Sequence, residues 1–277
     1  MPRRQLEHVF VFGAGKVGAG LARALRRAGV RVTLRAKRLG LPAARIDADL
    51  VVLALRDRDL GPCAEELVGR GLIGRGDRAS AVVHCAGALG PEAIAAARGP
   101  RVAVAQMHPM ISFAATASTP TLLRGQLHVA GDDLAVRRAR ALGALLGMTA
   151  RTIPGLDRVA YHAAAGLVAN GAAALAAAGT ELLERAGVDR ATAVAMIGPL
   201  LRSVADNVER LGLPAALTGP VRRGEVGGVE RHLATLDRLA PDLVPLYRAM
   251  GRAQLPLARA LAEAPPESFD ALERLLG

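Results

Sequence analysis

The chain has 277 residues, 51% of them apolar and 2% aromatic, and a formal net charge of +11. That length accommodates two domains or one large core with a helical extension, and the interior must be built mostly from Leu, Val and Ala. The charge raises the question of a polyanionic partner, but the cations are scattered and nearly all are Arg. With only two Tyr and four Phe there are few platforms for base stacking, so no nucleic-acid partner is expected.

Lysine stands only at positions 16 and 37. The two cysteines, Cys63 and Cys85, make neither a secreted disulfide framework nor a paired zinc motif, so a reducing cytoplasmic setting and no metal site are expected. No apolar signal core follows Met1 to Arg4. The alanine-rich stretch from Val159 to Ala178 is interrupted by His162, Asn170 and several glycines, so no membrane span is expected.

The first element is a strand, His8-Val9-Phe10-Val11-Phe12, followed directly by Gly13-Ala14-Gly15-Lys16-Val17-Gly18 and a helical stretch from Val17 to Ala28. Strand, glycine turn and helix in that order form a dinucleotide-binding fingerprint. The first glycine reverses the chain, the second admits a pyrophosphate against bare backbone, and the third lets helix and strand pack closely. The helix N-terminus then offers free N–H groups to the anion.

A second strand, Val30 to Leu34, ends without the acidic residue that receives the ribose 2′-hydroxyl of NAD. It runs instead into Arg35-Ala36-Lys37-Arg38, three cations that suit a 2′-phosphate. NADP(H) is therefore expected, with Arg35, Lys37 and Arg38 at the phosphate.

Ala48 to Leu55 reads as a buried parallel strand because its apolar run is nearly continuous, and it brings Leu55 to the carboxyl edge ahead of Arg56-Asp57-Arg58-Asp59. A helix from Leu60 to Arg70 and a return over Gly71 to Asp77 follow. Further strands are expected at Ser80 to Cys85, Val102 to Gln106, Gln126 to Ala130 and Thr149 to Ile153, with a helix from Asp133 to Leu146. After Pro154 helical periodicity takes over, with helices over Leu156–Ala186, Asp189–Leu211, Val226–Leu239, Leu243–Ala262 and Ser268–Leu276. The pattern implies an α/β chain: a dinucleotide-binding, mostly parallel sheet over 1–153, then an all-helical substrate and dimerisation domain over 154–277.

Ligands of open α/β sheets bind beyond the carboxyl ends of the strands. Polar groups gather there in His84-Cys85-Ala86-Gly87, His108-Pro109 and the helical Tyr161-His162, with Asn170 two turns on. Cys85 is placed at the coenzyme by that rule. His162 is the first candidate for proton transfer, His108 the second, and Asn170 suits a hydrogen bond to the reacting oxygen or the carboxamide and equally a helix-packing hydrogen bond. On an ideal helix His162 and Asn170 stand about 80° apart. Thr218-Gly219-Pro220 and Arg223-Gly224-Glu225 offer a hydroxyl and a guanidinium, so Thr218 and Arg223 are candidate contacts to an acidic substrate; the same residues also suit an interhelical cap.

These blocks together, Gly13 to Gly18, His84-Cys85-Ala86-Gly87, His108-Pro109, Tyr161-His162-Ala163-Ala164-Ala165 with Asn170-Gly171, and Leu217-Thr218-Gly219-Pro220 with Arg223-Gly224-Glu225, resemble Rossmann-like oxidoreductases whose C-terminal half is domain of unknown function 2520. That group is related to pyrroline-5-carboxylate reductase and the 6-phosphogluconate dehydrogenase superfamily. The resemblance covers nearly the whole chain and implies an NADP-linked redox fold with a dimer-forming helical half.

Two departures bear on chemistry. Ala86 stands where members often have serine, and Gly166 stands where β-hydroxyacid dehydrogenases carry Lys four residues before Asn. The expected activity is hydride transfer to or from a small oxo or imino acid in a homodimer. The alternative is an NADP-binding regulator that has lost catalysis. Deazaflavin-dependent reduction on a similar fold is a third reading.

Overall fold

The computed structural model describes residues 6–74 and 80–277; Met1 to Arg4, and the part of the expected return that reaches Asp77, lie outside them. The chain divides into two compact units, Met1–Gly166 and Leu167–Gly277. The change of sequence pattern comes at Pro154, and the division falls farther on, inside a long helix.

In the first unit β1 (His8–Phe12), α1 (Lys16–Arg27), β2 (Arg31–Arg35) and β3 (Leu50–Leu53) make the glycine-turn half. There follow α2 (Leu60–Gly69), β4 (Ser80–His84), β5 (Val102–Pro109), β6 (Gln126–Gly131), α3 (Asp133–Leu145) and β7 (Thr149–Arg151). The strands form one sheet in the order β2-β1-β3-β4-β5-β6-β7. All pairs are parallel except β5 with β6.

Alternation along the strands builds a core on each face of the sheet. Val9 and Val11 of β1, Leu50 and Val52 of β3, and Ala81 and Val83 of β4 pack with Leu21 and Leu25 of α1 and Leu142 of α3. The residues between them, Phe10, Phe12, Val51, Leu53 and Val82, pack on the other face with Leu60 and Leu67 of α2 and with Ile94. The order reverses between β1 and β3, which puts a crevice at the carboxyl edge beside the glycine turn.

α4 (Arg158–Arg185) begins in the first unit and ends in the second. The second unit adds α5 (Arg190–Leu211), α6 (Val226–Leu239), α7 (Val244–Leu261) and α8 (Pro266–Leu276). Its core is made by Val229 and Leu233 of α6, Leu255 and Ala258 of α7, and Phe269, Leu272 and Leu276 of α8. α5 starts on Asp189, whose carboxylate accepts the Thr192 N–H at 3.0 Å, an N-cap of the ordinary kind.

Much of the apolar surface of α4 and α5 is left exposed, including Leu167, Val168, Val194, Met196, Leu200, Val204 and Leu211. By length and composition alone, α4 is the helix among the described residues that could cross a membrane, with a mean hydropathy of 1.4.

Candidate active site

Two of the three glycines of the first turn are dictated by the protein itself. A Cβ at Gly13, where φ is +109°, would lie 2.2 Å from the Ala54 carbonyl oxygen, and one at Gly18 would lie 1.9 Å from that of Gly13. Gly15 is different, because a Cβ there would meet nothing within 4 Å. Gly15 is also the N-cap of α1, with no side-chain cap and no acid in the first turn. The turn therefore holds an uncapped helix N-terminus behind bare backbone, an arrangement suited to a pyrophosphate.

The groove beside the turn has a volume of about 370 Å³ and is lined by Gly13, Ala14, Gly15, Leu55 and four cations, Lys37, Arg38, Arg56 and Arg58. Lys16 and Val17 open α1 next to it. The basic loop after β2 is not used uniformly. Arg35 turns back on its own loop, donating from Nε to Gly40 O at 2.6 Å and from Nη2 to Leu39 O at 2.7 Å. Lys37 Nζ pairs with Asp59 at 2.6 Å, and that partner holds the Asp59 carboxyl below its usual range. Arg38 lines the groove without a paired acid among the described residues. Arg56 and Arg58, not singled out for the phosphate from sequence, line it too; their position directly after β3, at the switch point, was the available signal.

A second polar assembly stands around the ends of β4, β5 and β6 and the start of α4. His84 is fully buried. Its Nε2 donates to Gly90 O at 2.8 Å and its Nδ1 accepts the Ala86 N–H at 3.2 Å. A carbonyl can only accept and an amide N–H only donate, so His84 is neutral with the proton on Nε2. Burial lowers its pKa, and its work is to shape the turn that presents Gly87.

Gln106 is also fully buried and donates to Ala86 O at 3.0 Å, which fixes its amide. Its oxygen therefore accepts from His128 Nδ1 at 2.8 Å, and His128 Nε2 is left as a buried acceptor without a partner among the described residues. His108 and His128 face each other in register across the antiparallel β5–β6 pair. Burial, followed by the Arg158 charge, lowers the His128 pKa.

Both imidazoles meet the first turn of α4. The Tyr161 ring lies 5.4 Å from His108 and 5.6 Å from His128, and His108 Nδ1 is 3.1 Å from the Tyr161 hydroxyl. His162 stands edge-on to His108 at 5.6 Å. Gly87 is the hinge of this packing, for a Cβ on it would come within 2.3 Å of His162 Nδ1 and 2.9 Å of His108 Nε2. Burial, reinforced by the neighbouring imidazoles, brings the His108 pKa down to about 4. Burial raises that of Tyr161. At neutral pH His108 is thus an uncharged partner for a protonated phenol.

The expected catalytic residues are therefore only partly gathered. His108 and His162 come together, with His108 inside β5 rather than after its expected end at Gln106. Asn170 is exposed in the second unit. Thr218 is exposed in that unit, and Arg223 there holds Glu225 through bonds of 2.6 and 3.1 Å. Cys85 follows β4, and its thiol is pushed by burial up to about 12, which makes it unreactive at neutral pH. Gln106, His128 and Tyr161 complete the assembly. Among the described residues no group of His, Cys, Asp or Glu is arranged to hold a metal ion.

Residues 126–254 match the family described as domain of unknown function DUF2520. The fold of the chain is similar to that of protein TM1727 from Thermotoga maritima, with 22% identity, a TM-score of 0.65 and coverage of 91% of this chain and 98% of that one. It is also similar to 1-pyrroline-5-carboxylate reductase from Streptococcus pyogenes, at 17% identity and TM-score 0.61 over 92% and 98% of the two chains. A third likeness is to Plasmodium falciparum pyrroline carboxylate reductase with NADP bound, at 12% identity and TM-score 0.60 over 98% and 99%. No curated protein matches. The match starts at β6, so His128, Tyr161 and His162 fall within it while Gly13 to Gly18 and His108 precede it.

Proposed function

We propose that this protein is an NADP(H)-dependent oxidoreductase that transfers a hydride to or from a small oxo or imino acid. The observation that carries the reading is the Gly15 cradle, open in front of an uncapped helix and bordered by Lys37, Arg38, Arg56 and Arg58. The NADP bound by the Plasmodium falciparum relative supports the same coenzyme. Gly13 to Gly18 hold the pyrophosphate, and Arg38, Arg56 and Arg58 receive the 2′-phosphate. The nicotinamide supplies or takes the hydride.

The chain's own part is to place the carbonyl or imine carbon and to move one proton. Tyr161 donates that proton from its hydroxyl, His108 restores it through Nδ1, and exposed His162 connects His108 with solvent. Gln106 and His84 hold the surrounding backbone so that the two imidazoles keep their places. A homodimer is part of the reading, since the exposed apolar faces of α4 and α5 suit a second copy.

The test is calorimetric titration with NADPH and NADH, followed by NADPH oxidation against a panel of 2-oxo acids and cyclic imines. Tighter binding of NADPH and turnover of one panel member are expected. Absence of heat with either coenzyme overturns the reading, and tight binding with no turnover favours the regulator.

A further inference from the structure

Arg158 is the first residue of α4, and it is placed against the electrostatics of its surroundings. A cation in the first turn of a helix faces the positive end of the macrodipole, and that turn contains no acid. The carboxylate just before it, Asp157, is committed to the Val159 and Ala160 N–H groups, both at 3.0 Å. Arg158 Nε is buried with no hydrogen-bond partner among the described residues, although burying an unpaired guanidinium N–H is costly. Its charge adds to the burial that lowers the His84 and His128 pKa values. Tyr161 and His162 follow at the third and fourth positions along the helix, which puts all three on one face of the first turn.

We infer that Arg158 is the carboxylate-binding residue of the Tyr161–His108 site, so that the substrate is an anionic oxo or imino acid held beside the Tyr161 hydroxyl. The inference rests on the oxidoreductase reading for the reaction but not for the binding itself. Arg223, the guanidinium suggested by sequence, already has a carboxylate in Glu225. Arg158 has an unsatisfied Nε–H donor, and a carboxylate matches a guanidinium edge through two parallel bonds. The coenzyme phosphates are served elsewhere, since Arg158 is not among the residues lining the glycine-turn groove.

The test uses the full chain, with and without NADPH, titrated calorimetrically with oxamate and benzoate, with neutral oxamide and benzamide, and with inorganic phosphate. The expected result is that at least one carboxylate binds, that its neutral counterpart does not, and that Arg158→Gln weakens the carboxylate at least tenfold while Arg158→Lys retains part of the affinity. NADPH affinity should be the same in all three proteins. Failure of both carboxylates to bind the wild type overturns the inference, as does binding of phosphate alone. It also falls if Arg158→Gln shifts the His128 ring nitrogen resonances but leaves carboxylate affinity unchanged, because Arg158 would then serve His128. If NADPH does not bind, the oxidoreductase reading fails, and the coenzyme-free titration still decides Arg158.

Discussion

His108 Nδ1 lies 3.1 Å from the Tyr161 hydroxyl, a bond that ties the end of β5 to the first turn of α4. Removing the hydroxyl tests whether the bond serves chemistry. Tyr161→Phe should cut turnover on the order of 100-fold and leave NADPH affinity as it was. Steady-state kinetics with NADPH titration in parallel reads both, and a loss of coenzyme affinity would place Tyr161 at the wrong site.

Gly15 and Gly18 separate ligand space from packing space. Gly15→Ala meets no protein atom, so its melting temperature should stay near that of the wild type while NADPH binding weakens at least tenfold, about 1.4 kcal/mol. Gly18→Ala would drive a methyl group into the Gly13 carbonyl and should lose roughly 1–3 kcal/mol of stability. Thermal melts with and without NADPH distinguish the two.

Gly87→Ala should fail differently, because its Cβ would enter the space of His162 and His108. The sheet has no need of that position, so the chain should fold with a loss of roughly 1–3 kcal/mol and bind NADPH normally. The mutual contact of the two imidazoles should be broken, visible as altered ring resonances in NMR and as a fall in turnover.

The acid side of the stability profile should be steep. His108 titrates near 4 in the folded protein and at about 6.5 when unfolded. Between those values the unfolded chain binds the proton and the folded one does not, so stability falls as pH falls, by up to about 3 kcal/mol from this group. His84 and His128, also lowered by burial, act in the same direction. Urea unfolding at about pH 7 and about pH 4.5 measures the slope, and His108→Asn should flatten it.

The two arginines after β3 should choose between the coenzymes. Arg56→Ala and Arg58→Ala should each weaken NADPH roughly tenfold, the scale of one charge-assisted hydrogen bond, with little effect on NADH. Equal losses for both coenzymes would assign these residues to the pyrophosphate instead.

The glycine-turn half was legible because periodicity and glycine spacing are local. His8–Phe12 is the expected strand to the residue, and Val226–Leu239 the expected helix. The site was legible only in fragments. His128 lies on a strand that was expected, Gln126 to Ala130, yet nothing local sets it apart. Its importance comes from the antiparallel register that puts it opposite His108, and register between strands about twenty residues apart is a tertiary fact. Arg35 was misleading for a related reason. A cation at the end of β2 looks available in sequence, but the chain bends so that Gly40 and Leu39 offer it carbonyls.

Because β6 runs antiparallel to β5, its first residues stand beside the last residues of β5, and segment 110–125 connects these two neighbouring strand ends. Arg23 of α1 fastens the segment through Thr119 and Ser118 at 2.9 and 2.6 Å, and Phe113 occupies the space a side chain at Gly20 would need. The connection between β5 and β6 is thus strapped to the helix that rises from the glycine turn.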